Sequence, residues 1–290
     1  MANLPPHTRK NRDAATEPAV VRWLLIGLAF AFLALFLVVP LGAVLFRVFQ
    51  AGWTNFVDTL TDSDTLSSIQ LTLMVAGITV PFNLVFGVSA AWAIAKFEFK
   101  GKTFLTTLID LPFSVSPVIS GLVYVLLFGA DSWLGPQLKA MGFPVVFAFP
   151  GILLATIFVT FPFIARELIP LMEAQGTADE EAAITLGASG WKTFFLVTLP
   201  NIKWALFYGV LLCNARAMGE FGAVSVVSGH VRGKTNTMPL QIEGLYNDYN
   251  SGGAFAVASL LAALALLTLL LKTLLELRFG DDVSAGNRHK

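Results

Sequence analysis

The chain has 290 residues, of which 56% are hydrophobic and 13% charged, with nineteen basic and nineteen acidic side chains. A soluble domain carries about 25% charged residues, and the mean hydropathy here is +0.72, so too little polar surface exists to cover a water-soluble globule. Zero net charge argues against a nucleic-acid partner. The single cysteine, Cys213, and three scattered histidines (His7, His230, His289) exclude an intrachain disulfide and give no metal-ligand spacing.

The remaining class is an all-α membrane protein, and about six transmembrane helices can be placed along it. Residues 1–21 form a polar tail with Arg9, Lys10 and Arg12. The apolar run from Trp23 to Val48 is too long for a signal-peptide core of about 7–15 residues and stands as the first span. Residues 49–67 are polar and acidic. A second span covers Ser68 to Ala95, with Pro81 and Asn83 near its middle, and is followed by Lys96, Lys100 and Lys102.

The third span, Phe104 to Gly129, contains Asp110, Pro112, Ser114, Ser116, Pro117, Ser120 and Gly121. Prolines interrupt a hydrogen-bond ladder that lipid cannot repair, so this helix is expected to face protein or a wet cavity. Residues 130–144 form a polar connection. The fourth span runs from Val145 to Pro170, with Arg166 and Glu167 read as its inner end. A charged, small-residue loop follows over 177–200. The fifth span starts near Pro200 and ends before Gly229, and residues 229–253 form a polar loop. The sixth span, Ala254 to Leu275, leads into a charged segment; the transmembrane body is set at 22–278 and a terminal tail at 279–290.

Lysine and arginine decide the orientation. With the N-terminus inside, the inner segments hold Arg9, Lys10, Arg12, Arg22, Lys96, Lys100, Lys102, Arg166, Lys192, Lys203, Lys272, Arg278, Arg288 and Lys290, against Arg47, Lys139, Arg232 and Lys234 outside. Both termini and the 177–200 loop are therefore expected in the cytoplasm. No convincing internal repeat is present, which argues mildly against carriers built from inverted repeats.

The loop reads EEAAITLGASGWKTFFLVTLP over residues 180–200. Ala182, Ala183, Ala188 and Ser189 permit close approach of a partner. Gly187 lets the backbone turn sharply between two short helices. Glu181 offers a carboxylate across an interface, and Leu199-Pro200 opens the next span, where a missing N–H is harmless. An amphipathic helix lying on the membrane surface is the plainer alternative. The full spacing, Glu181-Ala182-Ala183, Gly187, the β-branched Val197 and Leu199-Pro200, resembles the EAA loop of bacterial ABC importer permeases, with Val197 replacing the usual Ile.

That resemblance implies the MetI-like permease fold, with residues 177–200 as a coupling helix pair fitting a cleft on an ATPase subunit. It also implies two ATPase copies, which would bind the ATP and Mg. This chain has no GxxxxGK[ST] phosphate loop and is expected not to be an enzyme or to hold a cofactor or metal of its own.

In the fifth span Arg216 and Glu220 stand four apart on one helix face. An intramembrane arginine costs about 2.5–3.5 kcal/mol, so it should face the bundle interior or water. The pair either fixes helix orientation or supplies positive potential to an anion path. Gly219 and Gly222 would admit a neighbouring helix. Asp110 is expected to cap the break at Pro112 or pair within the bundle. Ser114, Ser116, Ser225 and Ser228 could bond a transiting oxyanion, although membrane serines commonly bond their own backbone.

The stretches ARAMGEFGAVSVVSG and VRGKTNTMPLQIEGLYNDYN resemble the W-type subunits of sulfate/thiosulfate permeases. This implies a second, related permease in a heterodimer, a periplasmic sulfate-binding protein, and location in the bacterial inner membrane. Molybdate or tungstate permeases are the nearest alternative, and a stand-alone secondary anion carrier a more distant one. An intramembrane enzyme is disfavoured, since the spans hold no histidine and no HExxH or GxSxG.

Overall fold

A computed structural model describes residues 19–285; the tail segments at 1–18 and 286–290 lie outside the described residues. The long helices are α1 (Val20–Ala51), α3 (Ser63–Lys96), α7 (Phe149–Gln175) and α9 (Gly190–Met218), together with α12 (Ser251–Ala285). Shorter helices connect or continue them: α2 (Trp53–Thr61), α4 (Lys102–Ser114), α5 (Pro117–Phe128), α6 (Gly135–Ala140), α8 (Ala178–Thr185), α10 (Gly222–Val227) and α11 (Met238–Asn247).

The core is built where α3, α7 and α9 meet. Ile164 of α7 is pressed between two glycines: a Cβ on Gly87 would sit 2.9 Å from the Ile164 Cβ, and one on Gly209 would sit 3.2 Å from its Cα. Small residues here let the backbones close, the usual basis of helix association in lipid. Ala91, Ile164, Leu168, Met172, Ile202 and Cys213 form the resulting buried cluster. Asn83, fully buried, ties the same helices with polar bonds: its Nδ2 donates to the Thr160 hydroxyl at 2.8 Å. The helix that carries it is started by Asp62, whose Oδ2 accepts from the amides of Asp64 (3.1 Å) and Thr65 (3.2 Å).

Contacts at the helix ends fix the topology. At one face, Lys96 closing α3 donates to the Gly176 carbonyl, and Gln175 closing α7 bonds the Asn201 carbonyl at 3.2 Å. At the opposite face, the amide of Phe147, before α7, donates to the Val227 carbonyl at 2.8 Å. Gly252, opening α12, abuts Ala51 and Asn55 there. Because α4 starts at the first face and α5 leads through α6 to the second, the α4–α5 pair crosses once. Among the described residues five helices are long and apolar enough to cross a membrane, and the bent α4–α5 pair makes up to six; no residue from 20 to 51 is buried.

Three expectations change in detail. The third span is no single helix: α4 and α5 meet at 105°. Pro117 has no N–H and holds Ser116 extended (φ −58°, ψ 135°), which is incompatible with a continuous helix. Next, the fifth span starts at Gly190 rather than Pro200. A π-turn over Phe194–Thr198 sends the Leu199 amide to the Phe194 carbonyl, so the ladder is already displaced where Pro200 has no donor to give. The span then breaks after Met218 and resumes as α10. Finally, the backbone of α12 stays helical to Ala285, ten residues beyond Leu275.

Candidate functional site

The loop between α7 and α9 is built as a turn between two helices. Thr177 precedes α8, and Asp179, Glu180 and Glu181 occupy its first turn, where carboxylates complement the helix dipole. At its end the Gly187 amide bonds the Ile184 carbonyl (2.9 Å) and the Ala188 amide bonds the Ala183 carbonyl (3.0 Å). These two bonds satisfy the last carbonyls in the pattern that requires a left-handed residue at this position. Gly187 supplies it, with φ +89°.

The two glutamates have different partners. Glu180 turns inward: its Oε1 lies 2.8 Å from Lys96 Nζ, with the glutamate 15% and the lysine 5% exposed, and it accepts the Thr198 hydroxyl at 3.1 Å. The α8 start is thereby fastened to the end of α3 and the base of α9. Glu181 is exposed and accepts the Thr177 hydroxyl at 2.7 Å. Ala182 is exposed and Ala183 partly covered, whereas Leu199 and Pro200 lie within α9. Beside the pair is a cavity of about 330 Å³ bounded by Trp92, Lys96, Phe97, Glu180, Ile184 and Thr193.

The sequence reading missed the apolar tips of this loop. Leu186 is 89% exposed and Trp191 71%. Large apolar groups raised on a turn are the anchors protein interfaces use. They were legible as apolar residues inside a charged loop, but their outward direction was not. Lys96 was read only as a topology marker.

The second candidate lies inside the membrane. Arg216 Nη1 is 2.5 Å from Glu220 Oε2, with the arginine 32% and the glutamate 1% exposed. The other carboxylate oxygen accepts the Ala223 amide at 2.8 Å and caps α10. This break in the fifth span meets the break in the third. A Cβ on Gly222 would lie 2.9 Å from the Pro117 Cβ, and one on Gly121 would lie 2.6 Å from the Ala223 carbonyl. Gly222 thus admits a neighbouring helix as expected. Gly219 does not; it is exposed, and a Cβ there would approach only the Ala215 carbonyl of its own helix. Ser114 and Ser116 are exposed at the meeting point. Ser120 and Ser225 bond backbone carbonyls of their own segments.

Asp110 pairs within the bundle, with a partner the sequence did not indicate. Arg166 Nε lies 2.9 Å from its Oδ1, and the side chains are 54% and 40% exposed, arginine first. Arg166, read from the sequence as the inner end of span four, stands nine residues before the end of α7, about 14 Å along the helix.

A bundle of five long apolar helices and one bent pair, with an apolar-tipped loop on one face and partly exposed ion pairs along its helices, has the build of a multi-pass membrane protein. Residues 83–281 match the family described as binding-protein-dependent transport system inner membrane component, and the chain belongs to that family. It is 51% identical over 261 residues, 90% of either chain, to the sulfate transport system permease protein CysW of Escherichia coli K12. To the CysT permease protein of the same organism it is 35% identical over 258 residues, covering 89% of this chain and 93% of that one. The fold matches a chain in the crystal structure of a bacterial alginate ABC transporter in complex with alginate pentasaccharide-bound periplasmic protein. That match has a TM-score of 0.75 at 17% identity, with 90% of this chain and 95% of the other covered, and it identifies the MetI-like permease fold.

Proposed function

We propose that this chain is the membrane-spanning subunit of an ATP-driven sulfate/thiosulfate importer in the bacterial inner membrane, forming half of the translocation path. The observation that carries the reading is the 51% identity, over 90% of both chains, to a sulfate permease. The second half is a related T-type permease, a pairing supported by the 35% identity to CysT. The Lys/Arg balance between the two sides of the chain supports a cytoplasmic position for that loop and for both termini.

There the loop docks on one of two ATPase subunits, which bind the ATP and Mg. Ala182, Ala183 and Gly187 allow close approach, Leu186 and Trp191 fill a cleft, and Glu181 meets a basic group. Leu199 and Pro200, inside α9, pass the loop's displacement along that helix. Closure of the ATPase pair then displaces α8 and, through Glu180 and Lys96, the end of α3. A periplasmic sulfate-binding protein delivers the anion to a path along Arg216, Glu220, Gly219, Ser114 and Ser116.

The test is purification of the tagged chain in mild detergent, with mass spectrometry of what accompanies it, followed by reconstitution with the receptor. ATP-dependent uptake of radiolabelled sulfate by a complex containing an ATPase and a second permease is expected. Sulfate movement by the chain alone without ATP overturns the reading in favour of a secondary carrier. Uptake of molybdate in place of sulfate overturns the substrate assignment.

A further inference from the structure

We infer that Arg166 and Asp110 form a second anion station, inward of the Arg216–Glu220 pair on the same track. The inference rests on the importer reading and adds a step to its path.

The observation behind it is exposure where lipid would not tolerate it. Arg166 and Asp110 are 54% and 40% exposed although both lie well inside membrane-spanning helices. Charged groups at such depth face water or protein. The surface beside them is continuous along α4. Asp110, Phe113 and Ser114 fall at i, i+3 and i+4 on one helix face, while Ile109 and Pro112 on the other are buried. The Arg166 guanidinium carbon lies 4.7 Å from the centre of the Phe113 ring, which holds its long side chain in place. Beyond Ser114 the face reaches the bend at Ser116, where Pro117 packs against Gly222 and the second break begins.

Depth places the two pairs in sequence. Gln175 and Asn201 are level, joined by their hydrogen bond. Arg166 stands nine residues from the first and Arg216 fifteen from the second, so the arginines differ by about 9 Å in rise along their helices.

The two stations share one design. In each, the arginine is more exposed than the carboxylate that balances it: 54% against 40%, and 32% against 1%. The path is therefore offered guanidinium donors, while the paired acid, buried at Glu220 and less exposed than its partner at Asp110, keeps the local charge near zero. An anion can be met at each step and still released, which conduction through a series of sites requires.

The experiment uses the assembled complex in proteoliposomes with its receptor. Arg166→Gln should lower sulfate turnover by about tenfold while receptor-stimulated ATP hydrolysis stays within about twofold. The exchanged pair Asp110→Arg/Arg166→Asp keeps the ion pair and assembly but reverses which helix presents the cation; turnover should remain depressed. Recovery to wild-type turnover in the exchanged variant would show a purely structural pair and overturn the inference.

Cysteine labelling supplies a readout independent of the cargo. Cys213 is fully buried, so Phe113→Cys can be followed against a low background. It should react with a sulfonate-bearing methanethiosulfonate faster than with a trimethylammonium one, relative to a free thiol in solution. No reaction with either would mean that lipid or the second permease covers this face, which also overturns the station. Anion-preferring labelling in a complex that moves no sulfate would sink the importer assignment and leave the station standing.

Discussion

Lys96 and Glu180 fasten the 177–200 loop to the bundle through three contacts, and removal of Lys96 should be costly in a calculable way. Its ammonium meets Glu180 at 2.8 Å and donates to the Gly176 carbonyl, while Thr198 of α9 donates to the same Glu180 oxygen. With Lys96→Met, Glu180 keeps a single hydroxyl; with Glu180→Gln, the ammonium keeps a carbonyl and a weaker amide. Breaking a buried ion pair by deleting one member costs about 3–5 kcal/mol. Glu180 is 15% exposed and retains Thr198, so the lower end, about 3 kcal/mol, applies. That shifts the balance between fastened and released loop by about 150-fold. The double variant Lys96→Met/Glu180→Gln leaves no buried charge unpaired and should recover about 1–3 kcal/mol of coupling. Amide hydrogen exchange over residues 176–193 reads the release directly. Faster exchange in both single variants and a smaller change in the double one are expected, with ATP hydrolysis proceeding while sulfate uptake falls. Unchanged exchange in the single variants, or strictly additive effects in the double one, would refute the idea that this pair joins loop to bundle.

The other expectations concern separate places in the fold. Gly187 has φ +89° in open space, so Gly187→Ala should cost about 1–2 kcal/mol from backbone strain alone; Gly187→Pro and Glu181→Lys should abolish coupled uptake while membrane insertion, read by fractionation, persists. Leu186→Ala with Trp191→Ala should leave the melting temperature of the purified chain unchanged, since exposed sites contribute within about 0.5 kcal/mol. The same variant should lose copurifying ATPase, because exposed aromatic anchors carry binding of about 2 kcal/mol or more. At the meeting of the two helix breaks, a Cβ on Gly121 would lie 2.6 Å from the Ala223 carbonyl. Gly121→Ala should therefore destabilise by about 1–3 kcal/mol and lower the melting temperature in detergent. Gly77→Ala, where nothing lies within 4 Å, should not.

The parts of this protein that were legible in the sequence are those fixed by local rules. Apolar runs of membrane length gave five spans directly, because a helix must satisfy its own backbone in lipid. The Gly187 turn was legible because one residue type suits a left-handed position. Arg216 and Glu220 were legible because four residues make one helical turn. Boundaries failed where a local rule met an accommodation it does not describe: the π-turn at Phe194–Thr198 absorbs Pro200, and Pro117 with an extended Ser116 turns one expected span into two helices at 105°.

Pairings across the bundle were hidden for a different reason. Asp110 and Arg166 lie 56 positions apart, and Lys96 and Glu180 lie 84 apart; no periodicity links them. Tertiary packing brings such groups within reach: Ile109 of α4, Ala165 of α7 and Ile94 of α3 share one buried cluster beside the Asp110–Arg166 pair. Arg166 shows the consequence most sharply. A positive charge near the end of an apolar run marks the inner surface by the ordinary reading of the charge rule, yet α7 continues to Gln175 and leaves Arg166 nine residues short of the helix end. A misplaced end of five residues was enough to turn a candidate path residue into a topology marker. The same physics allows correction: an arginine about 14 Å inside a membrane helix needs a partner, and the partner is the aspartate that the sequence had already marked as unusual.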